Sequence, residues 1–267
     1  MEELLIDDGA VEAAIREVAA VEVLPRFGAL GDGDVTEKSP GDLVTVADRA
    51  CERALAARLR SLVDLPVLGE EAAARDPSLV GLVADADAVW VVDPIDGTSN
   101  FAAGSPAFAV MVSLVQHGRT THGWMYLPVT ATMLHAELGR GAWRDGERIE
   151  AIEPSADARG LLKRGYLPAD VRDRLGTAPA LLRDAVHGVG SCPFDYDAVV
   201  GGAWSFVLYW RTLPWDHTAP ALYAAESGLR VARPGGGSYE PGDGGAGLLV
   251  AHRSRWDEVD EAFGALV

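Results

Sequence analysis

Residues Trp90 to Phe101, Trp-Val-Val-Asp-Pro-Ile-Asp-Gly-Thr-Ser-Asn-Phe, leave this chain few ways to fold. The run from Ala88 to Val92 is short, β-branched and uncharged, and it predicts a buried strand. It ends at once in Asp93 and Asp96, which are separated by Pro94 and Ile95. Pro94 fixes its own φ and biases Asp93 toward extended geometry. Gly97 allows a sharp turn and the close approach of a ligand. Thr98 and Ser99 suit the start of a short helix, whose free N–H groups attract an anion. Two hard oxygen ligands beside such a helix start suit a divalent metal bound to phosphate. Taken alone, Asp, Pro and Gly also make an ordinary turn, so the meaning of the stretch rests on what accompanies it.

Three other stretches accompany it. Pro66-Val67-Leu68 reads as a short strand running into Gly69-Glu70-Glu71. As solvated helix-start charges the two glutamates need no further explanation. If this strand lies beside the central one, however, Glu70 comes near Asp93 and Asp96. Thr45-Val46-Ala47-Asp48 has capping-box form, and Cys51, Leu55, Leu59 and Leu62 give the stripe of the helix that follows. On spacing alone, Asp48 is a helix-start residue. Pro214-Trp215-Asp216 precedes an apolar helix expected over Ala221 to Ser227, with Asp216 as N-cap, Pro220 in its first turn and Gly228 closing it.

Elsewhere, Val11, Ala14, Ile15, Val18 and Val21 predict a first helix to about Leu24, where Pro25 discourages its continuation. Gly28 to Asp42 reads as a mobile loop, in which Lys38 is the one candidate site contact. Phe108, Val110, Val112 and Leu114 alternate. After a turn at His117-Gly118, strands follow through Trp124 to Leu127 and near Thr132 to Leu138, then a hairpin at Asp145-Gly146. This is an antiparallel meander. Helical spacing recurs from Val171 to Leu182, a helix is expected over Ala198 to Ala203, and Phe206 to Tyr209 reads as a strand. The glycine-rich Gly235 to Gly247 reads as a loop between strands near Val231 and Val250, and a last helix is expected from about Ser254 to Leu266. A division into an N-terminal region, 1–150, and a C-terminal region, 151–267, is expected within one catalytic unit.

The 267 residues carry a formal net charge of -17, which argues against a nucleic acid or an anionic membrane as partner. A phosphate substrate stays compatible if metal ions reverse the local field. Met1 to Asp8 is acidic, with no cationic segment or long apolar run, and no apolar stretch approaches membrane-span length. A cytoplasmic location is the default expectation. Cys51 and Cys192 are too few for a zinc site or a disulfide framework.

Gly69-Glu70-Glu71, Asp93-Pro94-Ile95-Asp96-Gly97-Thr98, Trp215-Asp216 and Leu43-Val44-Thr45-Val46-Ala47-Asp48 together resemble the inositol monophosphatase family of metal-dependent sugar phosphatases. The resemblance covers about Lys38 to Gly228. It implies an α/β (α+β) fold, a layered α-β-α-β-α sandwich, together with homodimers, lithium sensitivity and roughly two or three Mg2+ ions per subunit in metal-assisted hydrolysis. At matching positions Glu70, Asp93 and the Ile95 carbonyl would hold the first magnesium, and Asp93, Asp96 and Asp216 the second. Asp48, Glu70 and Thr98 match residues that orient the attacking water. The Gly97 and Thr98 N–H groups would cradle the phosphate, and Lys38 matches a loop lysine near the site.

The match departs on the substrate side. The position that carries an acid in inositol-specific members is Tyr209 here, followed by Trp210 and Arg211. Ser191-Cys192-Pro193 replaces the usual small-residue turn. Ser191, Cys192, Tyr209 and Arg211 are the candidate substrate contacts, although Tyr209 equally suits strand packing, and Arg211 favours a second negative charge on the substrate. Inositol 1-phosphate is the leading expectation for the phosphate ester, with histidinol phosphate, a nucleotide bisphosphate or fructose bisphosphate as alternatives. A catalytically idle metal-binding interaction protein, and a nucleotide binder using the C-terminal glycines, are the readings from other classes.

Overall fold

The computed structural model describes residues 4–39 and 41–266. Met1 to Glu3, Pro40 and Val267 lie outside them, so the acidic N-terminal stretch is described only from Leu4. Helix α1 (Asp8–Val18) starts where the Asp7 side chain accepts from the Ala10 N–H, and it ends through π and 3-10 turns reaching Arg26. The stretch expected as a mobile loop, Gly28 to Asp42, instead includes the first strand of a hairpin, in which β1 (Val35–Ser39) pairs antiparallel with β2 (Asp42–Thr45). Its residues are mostly polar, with Leu43 and Val44 the only adjacent apolar pair, so no apolar alternation betrays the strands. Helix α2 (Val46–Leu62) then opens on the expected capping box.

Strand β3 (Val67–Gly69) leads directly into α3 (Glu70–Arg75), and α4 (Leu82–Asp85) precedes β4 (Ala88–Asp96), which runs parallel to β3. The central strand thus continues past its apolar run and carries both aspartates within it. It is held there by β5 (Ala109–Gln116), through Asp93↔Met111 and Asp96↔Ala109, with an irregularity between them where Pro94 has no N–H to donate. After α5 (Thr98–Ala102) and β5 come β6 (Arg119–Leu127), β7 (Thr132–Glu137), β8 (Gly141–Arg144) and β9 (Glu147–Ile149). They complete a seven-stranded sheet ordered β3-β4-β5-β6-β7-β8-β9, the expected meander included.

The chain after Ile149 builds a second sheet. Its elements in order are β10 (Leu161–Leu162), α6 (Ala169–Arg174), α7 (Ala180–Arg183), α8 (Cys192–Val200), β11 (Phe206–Tyr209), α9 (Pro214–Glu226), β12 (Arg230–Ala232), β13 (Leu248–Ala251) and α10 (Trp256–Gly264). The strand order is β10-β11-β13-β12. Two helix starts differ from expectation. Helix α8 begins at Cys192 rather than Ala198, with Pro193 suited to its first turn. Helix α9 begins at Pro214, so Asp216 is not an N-cap but lies inside the first turn, and Pro220 sits in the helix interior. Pro214 satisfies the same first-turn preference that had pointed to Pro220.

The layers follow from which face each element buries. Val11 and Ile15 of α1 and Cys51, Leu55 and Leu59 of α2 pack on Trp90, Val92, Val112 and Trp124, one face of the large sheet. The other face, with Met111 and Met125, packs on α8 and α9, which in turn cover Val207 and Val250 of the small sheet. Leu175, Leu182, Trp256 and Phe263 close the far side against Phe206 and Leu249. The result is an α-β-α-β-α sandwich, with α9 sandwiched between the sheets. Gly123 of β6 permits this approach, because a Cβ there would lie 2.8 Å from the Ala219 backbone. The Ser113 and Thr218 hydroxyls, 2.6 Å apart, fasten the same helix to β5. Among the described residues no helix is long and apolar enough to cross a membrane.

Candidate functional site

Fastening α9 to the large sheet brings its first turn over the end of β4. Asp93, Asp96 and Asp216 each offer a carboxylate oxygen, and the three atoms lie within 4.8 Å of one another. The helix start also favours the charge of Asp216. Glu70 lines the same cavity, of about 150 Å³, and so do Ile95, Gly97 and Thr98. Gly97 has φ 87°, and a Cβ on it would meet the Ala107 carbonyl at 2.9 Å, so only glycine fits between β4 and α5.

The expected polar contacts are arranged as follows. Lys38 reaches across from the β1–β2 hairpin and donates to Glu70 Oε1 at 2.7 Å and Glu71 Oε1 at 2.8 Å. Asp48 serves its capping box through Oδ2, accepting from the Thr45 N–H at 2.8 Å. Its Oδ1 faces Thr98 Oγ1 at 3.0 Å, and that hydroxyl also lies 2.9 Å from the Ile95 carbonyl. The helix-start residue is therefore in contact with the site. Ser191 and Cys192 turn inward to Asp96 Oδ2, the serine through its hydroxyl and the cysteine through its N–H at 2.7 Å. Both orient a carboxylate rather than open space. Tyr209 donates its hydroxyl to Asp195 Oδ2 at 2.9 Å, so only its ring faces the cavity.

Burial sets the protonation of the acids. It pushes Glu70 up to about 8, against the pull of Lys38 and with Asp216 adding to the rise. It pushes Asp96 up to about 7, again with Asp216 adding to the rise and Lys163 restraining it. Asp93 is raised well above the usual carboxylate range by burial and by Glu70, Asp96 and Asp216. Asp216 is raised by burial, with Arg211 and Lys163 restraining it. These acids repel one another in a dry place, and a hard divalent cation relieves that repulsion. The donor set, all oxygen with the Ile95 carbonyl beside it, fits magnesium.

Several site residues, Arg211 excepted, were not picked out from the sequence. Lys163, one residue past β10, lines the cavity together with Arg211 and Tyr166. Glu52, buried on α2, accepts from the Glu71 N–H at 2.7 Å and so fixes the start of α3. His217 is held neutral, pushed down to about 3 by burial. Its Nε2 donates to the Arg211 carbonyl at 3.1 Å, which leaves Nδ1 to accept from Tyr196. Glu52 lies inside α2 and gave no sequence signal, whereas the histidine after Trp-Asp could have been noticed. A lysine after a two-residue strand could not.

Comparison with known proteins accords with this geometry. Residues 6–263 match the model of the inositol monophosphatase family. The inositol-1-monophosphatase SuhB of Mycobacterium tuberculosis is 36% identical over 232 residues, which cover 82% of this chain and 77% of that protein. A Pseudomonas aeruginosa protein named Nus factor SuhB is 32% identical over 206 residues, 74% of each chain. In fold, the Thermotoga maritima IMPase superposes with a TM-score of 0.75 at 24% identity, covering 96% of this chain and 95% of that one.

Proposed function

Since the chain belongs to the inositol monophosphatase family, we propose that it is a magnesium-dependent phosphomonoester hydrolase acting on a small phosphorylated polyol, with inositol 1-phosphate as the first substrate to test. The convergence of Asp216 with Asp93 and Asp96 supports this reading most strongly, because it joins acids far apart in the chain, from β4 and α9, at one point. In this reading Glu70, Asp93 and the Ile95 carbonyl hold one magnesium, and Asp93, Asp96 and Asp216 hold another. When bound, the metal neutralises phosphate charge and lowers the pKa of water.

The chain's own residues supply position and polarity. Thr98 has a single proton to share between Asp48 Oδ1 and the Ile95 carbonyl, so its lone pairs can face a water aimed at phosphorus. Glu70, which lines the cavity with Thr98, would help to orient that water. In this reading the N–H groups of Gly97 and Thr98, which line the cavity at the start of α5, would cradle the phosphate. The water oxygen bonds to phosphorus as the ester oxygen leaves, and the products are an alcohol and inorganic phosphate. Most of the rate gain comes from positioning and charge neutralisation, with no covalent enzyme intermediate.

The reading carries with it a homodimeric, cytoplasmic enzyme that lithium inhibits. It is tested by assaying purified protein on inositol 1-phosphate and a generic phosphomonoester, with and without Mg2+. Turnover that requires magnesium supports it. No hydrolysis of either ester at millimolar Mg2+ favours the idle interaction protein.

A further inference from the structure

The cavity is lined by two unlike sets of side chains. One set of lining residues is Glu70, Asp93, Asp96 and Asp216, and the other is Lys163, Arg211 and Tyr166. The Lys163 ammonium stands over the Tyr209 ring, 5.4 Å from its centre, and among the described residues it makes no hydrogen bond or ion pair. It is half-buried and still charged. Burial opposes that charge, but Cys192 and the Asp96, Asp195 and Asp216 carboxylates together raise its pKa.

Arg211 is placed with equal care. Its guanidinium lies 4.2 Å from the centre of the Tyr166 ring and donates to the Tyr166 hydroxyl at 3.2 Å. Its backbone is pinned by His217. Tyr209, tied to Asp195, gives Lys163 a ring to rest on and offers the cavity no carboxylate. Carboxylates that neutralise a bound metal no longer neutralise Lys163. An ammonium in that position attracts an anion, and a phosphate or carboxylate accepts from it more strongly than a sugar hydroxyl does.

We propose that Lys163, resting on Tyr209, and Arg211, stacked on Tyr166, form an anion subsite that selects substrates carrying a second anionic group besides the phosphate that is hydrolysed. The proposal rests on the phosphatase reading and narrows its substrate class. Charge-assisted hydrogen bonds of this kind correspond to about tenfold to a hundredfold in selectivity.

The test uses matched pairs that share the scissile ester: fructose 1,6-bisphosphate against fructose 1-phosphate, and 3-phosphoglycerate against glycerol 3-phosphate. The first pair reads a second phosphate and the second a carboxylate. With Mg2+ saturating, the wild-type ratio of kcat/KM within at least one pair should reach about ten or more. Lys163→Met should bring that ratio to near one, Lys163→Arg should keep most of it, and Arg211→Met should lower it independently. A wild-type ratio near one in both pairs, with the monophosphates hydrolysed, overturns the anion subsite and leaves the phosphatase reading standing. A ratio that survives Lys163→Met also overturns it. Should Lys163→Met fail to fold, the wild-type, Lys163→Arg and Arg211→Met ratios still decide. Hydrolysis of inositol 1-phosphate but of none of the four esters also overturns the anion subsite, whereas failure on all five overturns the phosphatase reading instead.

Discussion

The two sheets contribute to the site in opposite senses. The large sheet and its neighbours supply Glu70, Asp93, Asp96 and Asp48, all acidic, in strands and caps whose local sequence demands that geometry. The segments around the small sheet supply both cavity-lining cations, Lys163 and Arg211, and a single acid, Asp216. The difference separates two kinds of requirement. Holding a metal fixes residue type, spacing and turn chemistry together. Recognising the rest of a substrate asks only for a suitable charge on a suitable wall, and many sequences meet that demand.

The sharpest way to break this comparison is to remove one acid from the large-sheet side. Asp93→Asn should lower kcat by roughly a thousandfold or more, about 4 kcal/mol of barrier. The far-ultraviolet circular dichroism should be unchanged, and the thermal midpoint without metal should rise, because one buried repulsion is gone. Near-native turnover at saturating Mg2+ would remove Asp93 from the site.

A second expectation concerns the acids as a group. Folding raises Asp96 to about 7 and Glu70 to about 8, whereas an unfolded chain holds such carboxyls near about 4. Between these values the folded chain binds more protons than the unfolded one, so the stability of metal-free protein falls as pH rises from about 4 to about 8. The slope is about 1.4 kcal/mol per pH unit for each such carboxyl. Thermal scans in chelator across that range should show the decline, and millimolar Mg2+ should offset it by about 3 kcal/mol at a hundredfold excess over its Kd. A midpoint that rises from pH 5 to 8 without metal contradicts the assignment.

Smaller effects sharpen how the sheets are joined. Gly123→Ala places a Cβ against the Ala219 backbone and should cost about 1–3 kcal/mol, shifting the midpoint by several degrees. It should also weaken Mg2+ affinity, since α9 carries Asp216; calorimetry would detect this. Tyr209→Phe removes only the hydrogen bond to Asp195 and should cost about 1 kcal/mol in a denaturant titration.

Much of the large-sheet side was legible for physical reasons. Asp93-Pro94-Ile95-Asp96-Gly97 leaves the backbone little choice, and Thr45 with Asp48 caps α2 as its pattern requires. The double use of Asp48 was not legible, because one carboxylate oxygen serves the cap and the other serves Thr98, and spacing reports only the first. The β1–β2 hairpin escaped notice because its residues are mostly polar. Asp216 was found by motif and misplaced by local chemistry, since Pro214 and Pro220 both suit a helix start and only the packing of α9 between the sheets decides between them. Lys163 follows a strand of two residues, too short for any periodicity to mark it.

The account stands or falls on Asp216 of α9 sharing metal ions with Asp93 and Asp96 of β4. Mn2+ titration followed by electron paramagnetic resonance, on wild type and Asp216→Asn at equal concentration, tests this most directly. The account predicts roughly two ions bound per wild-type chain in the presence of phosphate, and one fewer, or a marked loss of affinity, in the variant. Identical stoichiometry and affinity in both proteins would contradict it.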